Sequence, residues 1–191
     1  MVPVIGAFPP LSYSTLIRWV TGATAVAMAL YHMWVIAMGM PEAILFRGTH
    51  LLFAGTLVFL FYRFKLGDGL PGISDYLWIA AAAAPILYLF FNYDYIVNRI
   101  YYVDDLRPAD FVFAIMLVVV VLEATRRVIG WALPITAAIF LVYGLVATEF
   151  ERLLDQLFLT TEGVFGPTLG VSATYVMVFV LFGSFMERTG T

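Results

Sequence analysis

His32 and His50 are the two histidines of the chain, and they stand at matched depth in neighbouring apolar runs. The first run is Leu16 to Met38 and the second is Ala43 to Tyr62; His32 precedes the end of one by about as much as His50 follows the start of the other. At about 1.5 Å of rise per residue, both sit about 10 Å below the same face of a helical layer. Two imidazoles so placed have two uses. They can be the axial ligands of a haem, which makes a bis-histidine electron-transfer bundle one functional reading. Otherwise each hydrogen-bonds a neighbouring helix or lies in the interface region.

The second charged feature is "VLEATRRVIGWALP", Val121 to Pro134, which sets one carboxylate and two arginines between two long apolar runs. On a helix Glu123 pairs with Arg127 at i+4 or, second, with Arg126 at i+3. Pairing lowers the cost of holding a carboxylate at a membrane edge. Arginines just past an apolar run mark the cytoplasmic end of a membrane helix. The same stretch reads as a junction between two functional parts.

Other chemistry is missing from the sequence. It has no nucleophile elbow, no HExxH and no nucleotide-binding loop, so the chain cannot itself couple ATP to transport. With no Cys there is no disulfide framework, thiolate metal site or cysteine nucleophile. We therefore assign no catalytic, cofactor-binding or metal-ligating residue, and no enzymatic activity.

The elements that position these residues follow from composition. Of 191 residues, 63% are hydrophobic and 12% charged, with mean hydropathy +0.96. A soluble domain averages about 45–50% apolar and about 25% charged. This chain cannot cover itself with polar groups, so its solvent is the lipid bilayer. The net charge of −3 suggests no nucleic-acid partner.

The fold class is all-α, a polytopic membrane protein with about six transmembrane helices of about 20 residues each. After the first two runs come Tyr76 to Phe91, Ala109 to Thr125, Val128 to Val146 and Leu169 to Met186. Continuous rather than alternating apolarity excludes membrane strands. Gly39 and Pro41 stop the first helix. Ser74 or Asp75 caps the third, after the turn-rich Gly67 to Asp75 loop. Pro85 kinks the third helix, and Pro134 falls near the first turn of the fifth. The N-terminal stretch lacks the basic start of a signal peptide, so the first helix is retained.

Alternate loops collect Arg18, Arg63, Lys65, Arg126, Arg127 and Arg188 on one side, and Arg47, Arg99, Arg107 and Arg152 on the other. The positive-inside rule places the first set, and both chain ends, in the cytoplasm. Two outer loops have character. "FNYDYIVNRIYYVDD", Phe91 to Asp105, is tyrosine-rich, which fits an aromatic belt or, second, a sugar-binding or partner-docking patch. "EFERLLDQLF", Glu149 to Phe158, is an amphipathic helix expected to lie on the interface. In "TTEGVFGPTLGVSAT", Gly163, Gly166, Pro167 and Gly170 break a helix or, by preference, let helices pack closely.

"VLEATRRVIGWALPITAAIFLVYGL", "TEGVFGPTLGVSATYVMVFVLFGSFMERTG" and "ISDYLWIAAAAAPILYLFFNYDYI" together resemble the fused permeases of the tripartite ATP-independent periplasmic (TRAP) transporters, nearest those served by a TAXI-type binding protein. The resemblance runs from about Arg18 to Gly190. It implies a small four-helix part at 1–127 and the first two helices of a large transport part at 128–191. It further implies sodium-driven uptake of small organic acids or related solutes across the bacterial inner membrane, N-terminus in the cytoplasm. The implied partners are a periplasmic substrate-binding protein and the remaining large permease part. Solute and sodium ligands are expected beyond residue 191, in broken helices of the kind such sites require.

Overall fold

The computed structural model describes residues 13–62 and 71–190. Arg63, Lys65 and Asp68, and most of the loop before Asp75, lie outside the described residues. So does the N-terminal stretch read for a signal peptide.

Among the described residues, nine α-helices and one π turn follow in order: α1 (Tyr13–Met38), α2 (Ala43–Phe61), α3 (Ile73–Phe91), α4 (Tyr93–Asn98), α5 (Pro108–Ile129), α6 (Ala132–Ala147), α7 (Phe150–Phe158), α8 (Pro167–Val171), the π turn Ser172–Val176, and α9 (Met177–Thr189). No strand occurs among the described residues. Each of the six apolar runs is helical over most of its length; the fifth, Val128 to Val146, is broken at Gly130 and Trp131. Four stretches are long and apolar enough to cross a membrane: Thr15–Met38, Ala43–Phe61, Ile73–Phe91 and Pro167–Thr189, the last being α8, the π turn and α9 together. α5 has 22 residues, about 33 Å, and carries Asp110 and Glu123 as well as Arg126 and Arg127. α6 has 16 residues, about 24 Å, short of a hydrocarbon core of about 30 Å.

Local chemistry sets the boundaries. Glu42 caps α2, its Oε2 accepting from the backbone N–H of Ile44 at 2.9 Å and of Leu45 at 3.3 Å. α3 starts two residues earlier than a Ser74 cap allows and three earlier than an Asp75 cap, with Gly72 as the N-cap residue. Asp75 still serves, from inside the first turn, where its Oδ2 accepts from Gly72 N–H at 2.9 Å. Asp110 does the same for α5, accepting from Arg107 N–H at 2.8 Å. Pro108 opens α5, where its missing N–H costs nothing. Pro85 lies inside α3, and Pro134 in the first turn of α6. Between α5 and α6 stand only Gly130 and Trp131. Gly130 has φ +92° and ψ −164°, a conformation open almost only to glycine.

α3 packs against α2 on one side and α5 on the other. α1 covers α2 and touches α9; α7 lies on α5, joined by α6. The main core joins Ile86 and Leu89 of α3, Leu117 of α5, Leu154 and Phe158 of α7, and Phe165. That membership corrects the reading of Glu149 to Phe158 as a helix lying on the membrane interface. The apolar face of α7 is turned into protein: Leu154 and Phe158 are buried, and Asp155 with them. A helix that can bury its stripe against α5 and satisfy its acid there gains more than one floating on lipid headgroups. By contrast α6 buries only Pro134, and α9 buries no residue.

Candidate functional site

The two histidines meet. His32 of α1 is fully buried and His50 of α2 nearly so. His32 Nε2 lies 3.0 Å from His50 Nδ1. His32 Nδ1 lies 2.7 Å from the Met28 carbonyl, and His50 Nε2 lies 3.2 Å from Ser172 Oγ. Donor logic orients this chain. A carbonyl only accepts, so His32 carries its proton on Nδ1 and accepts on Nε2. His50 Nδ1–H must then donate to His32, which leaves His50 Nε2 to accept from the Ser172 hydroxyl. One polar thread thus runs from α1 through α2 to the π turn of the last helical run. π turns inside α-helices recur at functional positions. Tyr31 and Phe46 pack their rings against His32.

One turn before His50, Arg47 reaches the same helical run. Its Nη1 donates to the Phe165 carbonyl at 2.6 Å. Its guanidinium lies over Gly170, where a Cβ would come within 2.9 Å of Nε and 3.0 Å of Nη2. Gly170 therefore serves close helix packing, as its small-xxx-small spacing suggests. Gly163 is tighter still: a Cβ there would fall 2.2 Å from the Gln156 carbonyl oxygen.

Charged clamps tie the helices at both ends. At one end Glu123 binds both arginines: Arg126 through two hydrogen bonds of 2.7 Å, and Arg127 Nε at 2.8 Å. Arg127 also donates from Nη1 to Asp75 at 2.6 Å and to the Tyr62 carbonyl at 3.0 Å. Its side chain is 1% exposed and lies over the Phe59 ring. At the other end Arg99 pairs with Asp155 at 2.5 Å, both side chains almost fully buried. Asp155 also accepts from Tyr102 N–H at 2.9 Å, and Glu151 from Leu106 N–H at 2.7 Å. Asp110 accepts from the hydroxyls of Tyr88 and Tyr95, at 2.7 and 2.8 Å. The Arg107 guanidinium sits 3.6 Å above the Tyr95 ring. Burial, and then the bond to Asp110, pushes the Tyr95 phenol above its ordinary range. The loop from α3 to α5 is thereby sewn to α7.

Residues 116–191 match the family described as tripartite ATP-independent periplasmic transporter, DctM component. No curated protein and no solved structure matches the chain. DctM is the large permease component of TRAP transporters, a family of secondary transporters and not of enzymes. The matched stretch begins at Met116, inside α5, and takes in α6, α7 and the last helical run. Both clamps and the histidine thread therefore join the TRAP-like stretch to helices that precede it.

The haem reading does not fit this geometry. Two axial ligands must each aim a ring nitrogen at one iron, about 2 Å away as for other metal–imidazole bonds, with the porphyrin between the rings. His32 and His50 aim nitrogens at each other across 3.0 Å, and both remaining nitrogens are taken by Met28 and Ser172. The alternative, a hydrogen bond to a neighbouring helix, is the one realised. Glu123 does not choose between its arginines but takes both. Three partners were not foreseen: Asp75 for Arg127, Asp155 for Arg99, and Ser172 for His50. Each joins residues far apart in sequence. The only available signal was that a charge inside or beside an apolar run demands a partner. In the tyrosine-rich loop, Tyr95 spends its hydroxyl inside the molecule, while Tyr93 and Tyr101 stay exposed.

Proposed function

We propose that the chain is a membrane component of a sodium-coupled secondary transporter that takes up small organic acids or related solutes from a periplasmic binding protein. The family match over residues 116–191 carries this reading. In it, residues 1–127 are a small scaffold part and residues 128–191 the first two helices of the moving part. The protein sits in the bacterial inner membrane with its N-terminus in the cytoplasm.

The clamps support the scaffold role. Arg127 and Arg99, buried with their acids, fix α5 and α7 against α3 and the loop that follows it. The unburied apolar faces of α6 and α9 fit a larger permease part packed beside them. Solute and ion sites in such transporters use unwound backbone at mid-membrane with clustered polar groups. The described residues hold one irregular mid-helix segment, the π turn, whose side-chain bonds are Ser172 to His50 of α2 and Thr174 to the Gly170 carbonyl of its own helical run.

Deleting the coding sequence from the cell that carries it tests the reading. Sodium-dependent uptake of a small organic acid should be lost, and should return when the sequence is restored with its neighbouring binding protein. Unchanged uptake of every such acid would sink the proposal. The purified chain alone, in proteoliposomes under a sodium gradient, should move no solute.

A further inference from the structure

Arg47 is a membrane-helix guanidinium with no carboxylate partner among the described residues. Arg99, Arg126, Arg127 and Arg152 each pair with an acid. The one hydrogen bond of Arg47 goes to a carbonyl, through Nη1. Nε and Nη2 have no acceptor among the described residues, and neither is sealed from the surroundings. A membrane arginine of this kind usually extends to the headgroup layer. This one crosses to the last helical run and lies against Gly170, held by the Phe165 carbonyl.

Beside it opens a cavity of about 360 Å³ between the start of α2 and the start of the last helical run. Its wall includes Met40, Pro41, Phe46, Val171 and Tyr175. Met40 and Tyr175 are each 66% exposed, and Val171 is half exposed. The site therefore has a cation at its base and an apolar rim open sideways. Water alone would satisfy the donors but not the rim, and a bare alkane would satisfy the rim but not the cation. An oxyanion head on an alkyl chain satisfies both. Guanidinium is suited to such a head, because its fork of N–H groups matches phosphate oxygens two at a time.

We propose that this cavity binds the phosphate of a membrane phospholipid, with an acyl chain laid along Met40, Val171 and Tyr175. Phosphate and carboxylate heads share the required chemistry; the exposed apolar rim favours the lipid over a free anion. The site joins α2 to the last helical run on the side of the α1–α2 turn. A lipid held there would stiffen the contact at which the scaffold meets the TRAP-like stretch.

The test is native mass spectrometry of the full chain in detergent, titrated with phosphatidylglycerol. One bound lipid per chain is expected. Arg47→Gln should weaken it about tenfold or more, the size for losing a hydrogen bond to a charged group. Val171→Glu, at a half-exposed rim position, should weaken it similarly by supplying an internal carboxylate while leaving Arg47 in place. Arg152→Gln, which alters an exposed ion pair, should bind like the parent. Two controls separate the sources: millimolar inorganic phosphate should not displace the lipid, and diacylglycerol, lacking phosphate, should bind weakly. Parent-like binding by Arg47→Gln and Val171→Glu would overturn the proposal, as would displacement by phosphate or parent-like affinity for diacylglycerol. No readout depends on transport, so failure here leaves the transporter reading standing.

Discussion

Arg127 is the side chain on which three elements converge. Its Nε serves Glu123 of its own helix, and its Nη1 serves Asp75 of α3 and the carbonyl of Tyr62 at the end of α2. Arg126, one residue earlier, shares Glu123 but is 23% exposed and stacks near Trp131. Adjacent residues of one type therefore have unequal weights. Arg127→Ala takes its arginine from the almost fully buried Asp75 carboxylate, while Glu123 keeps Arg126, and should cost about 3–5 kcal/mol. Arg126→Ala leaves Glu123 its second arginine and should cost under about 1 kcal/mol. Glu123→Gln falls between them, because Arg127 retains Asp75 and the Tyr62 carbonyl. Thermal unfolding of the purified variants in one detergent reads the order. If Arg126→Ala is the most damaging, the buried clamp is not what holds this end together. The histidine thread follows the same physics: a buried donor is cheap when its acceptor is preset and costly when orphaned.

Helices that meet in lipid gain little from burying apolar surface, since acyl chains are as apolar as leucine. Close backbone approach and internal polar bonds must therefore decide which helices touch. The Thr160–Pro167 turn illustrates this. Gly163 admits the backbone of α7 so closely that a methyl group has no room, while Gly130 has nothing within 4 Å of its missing Cβ. Gly163→Ala should dislodge the turn and the start of the last helical run, at more than about 4 kcal/mol. Gly130→Ala meets only backbone strain, about 1–3 kcal/mol. Protease resistance and folded yield of the two variants in membranes separate these cases. Equal losses would mean that the turn backbone adapts, and that close packing is not its purpose.

For the whole molecule, the clamps sort the charges to two ends, and the helices alternate between them. Tyr62, Asp75, Glu123 and Arg127 meet at one end; Arg99, Asp155, Tyr102 and Leu106 meet at the other. In the proposed orientation, with basic residues favouring the cytoplasm, the Arg127 end is the inward one. The chain has no cysteine of its own, so single replacements report cleanly. Val103→Cys, at an exposed position of the outer loop, should react with an impermeant thiol reagent from the periplasm. Arg188→Cys, exposed near the end of α9, should react only from the cytoplasm. The reverse pattern would overturn the orientation.

The apolar runs were legible as helices because lipid requires all backbone bonds to be made internally, and four of them have the twenty or so apolar residues a span needs. The Glu123 pairing was legible because i+3 and i+4 neighbours on a helix are fixed by its pitch. The matched depth of His32 and His50 was legible for the same reason. What that depth was for was not, because a haem and a direct hydrogen bond ask for the same spacing along the chain and differ only in how far apart two helices stand. The burial of α7 was hidden likewise. A stripe of Phe150, Leu153, Leu154, Leu157 and Phe158 suits a lipid interface and a protein groove equally, and only the arrival of α5 and the Arg99–Asp155 bond chose the groove. Periodicity is a property of one helix and sequence carries it whole; a partner is a property of two, and only the tertiary structure selects it.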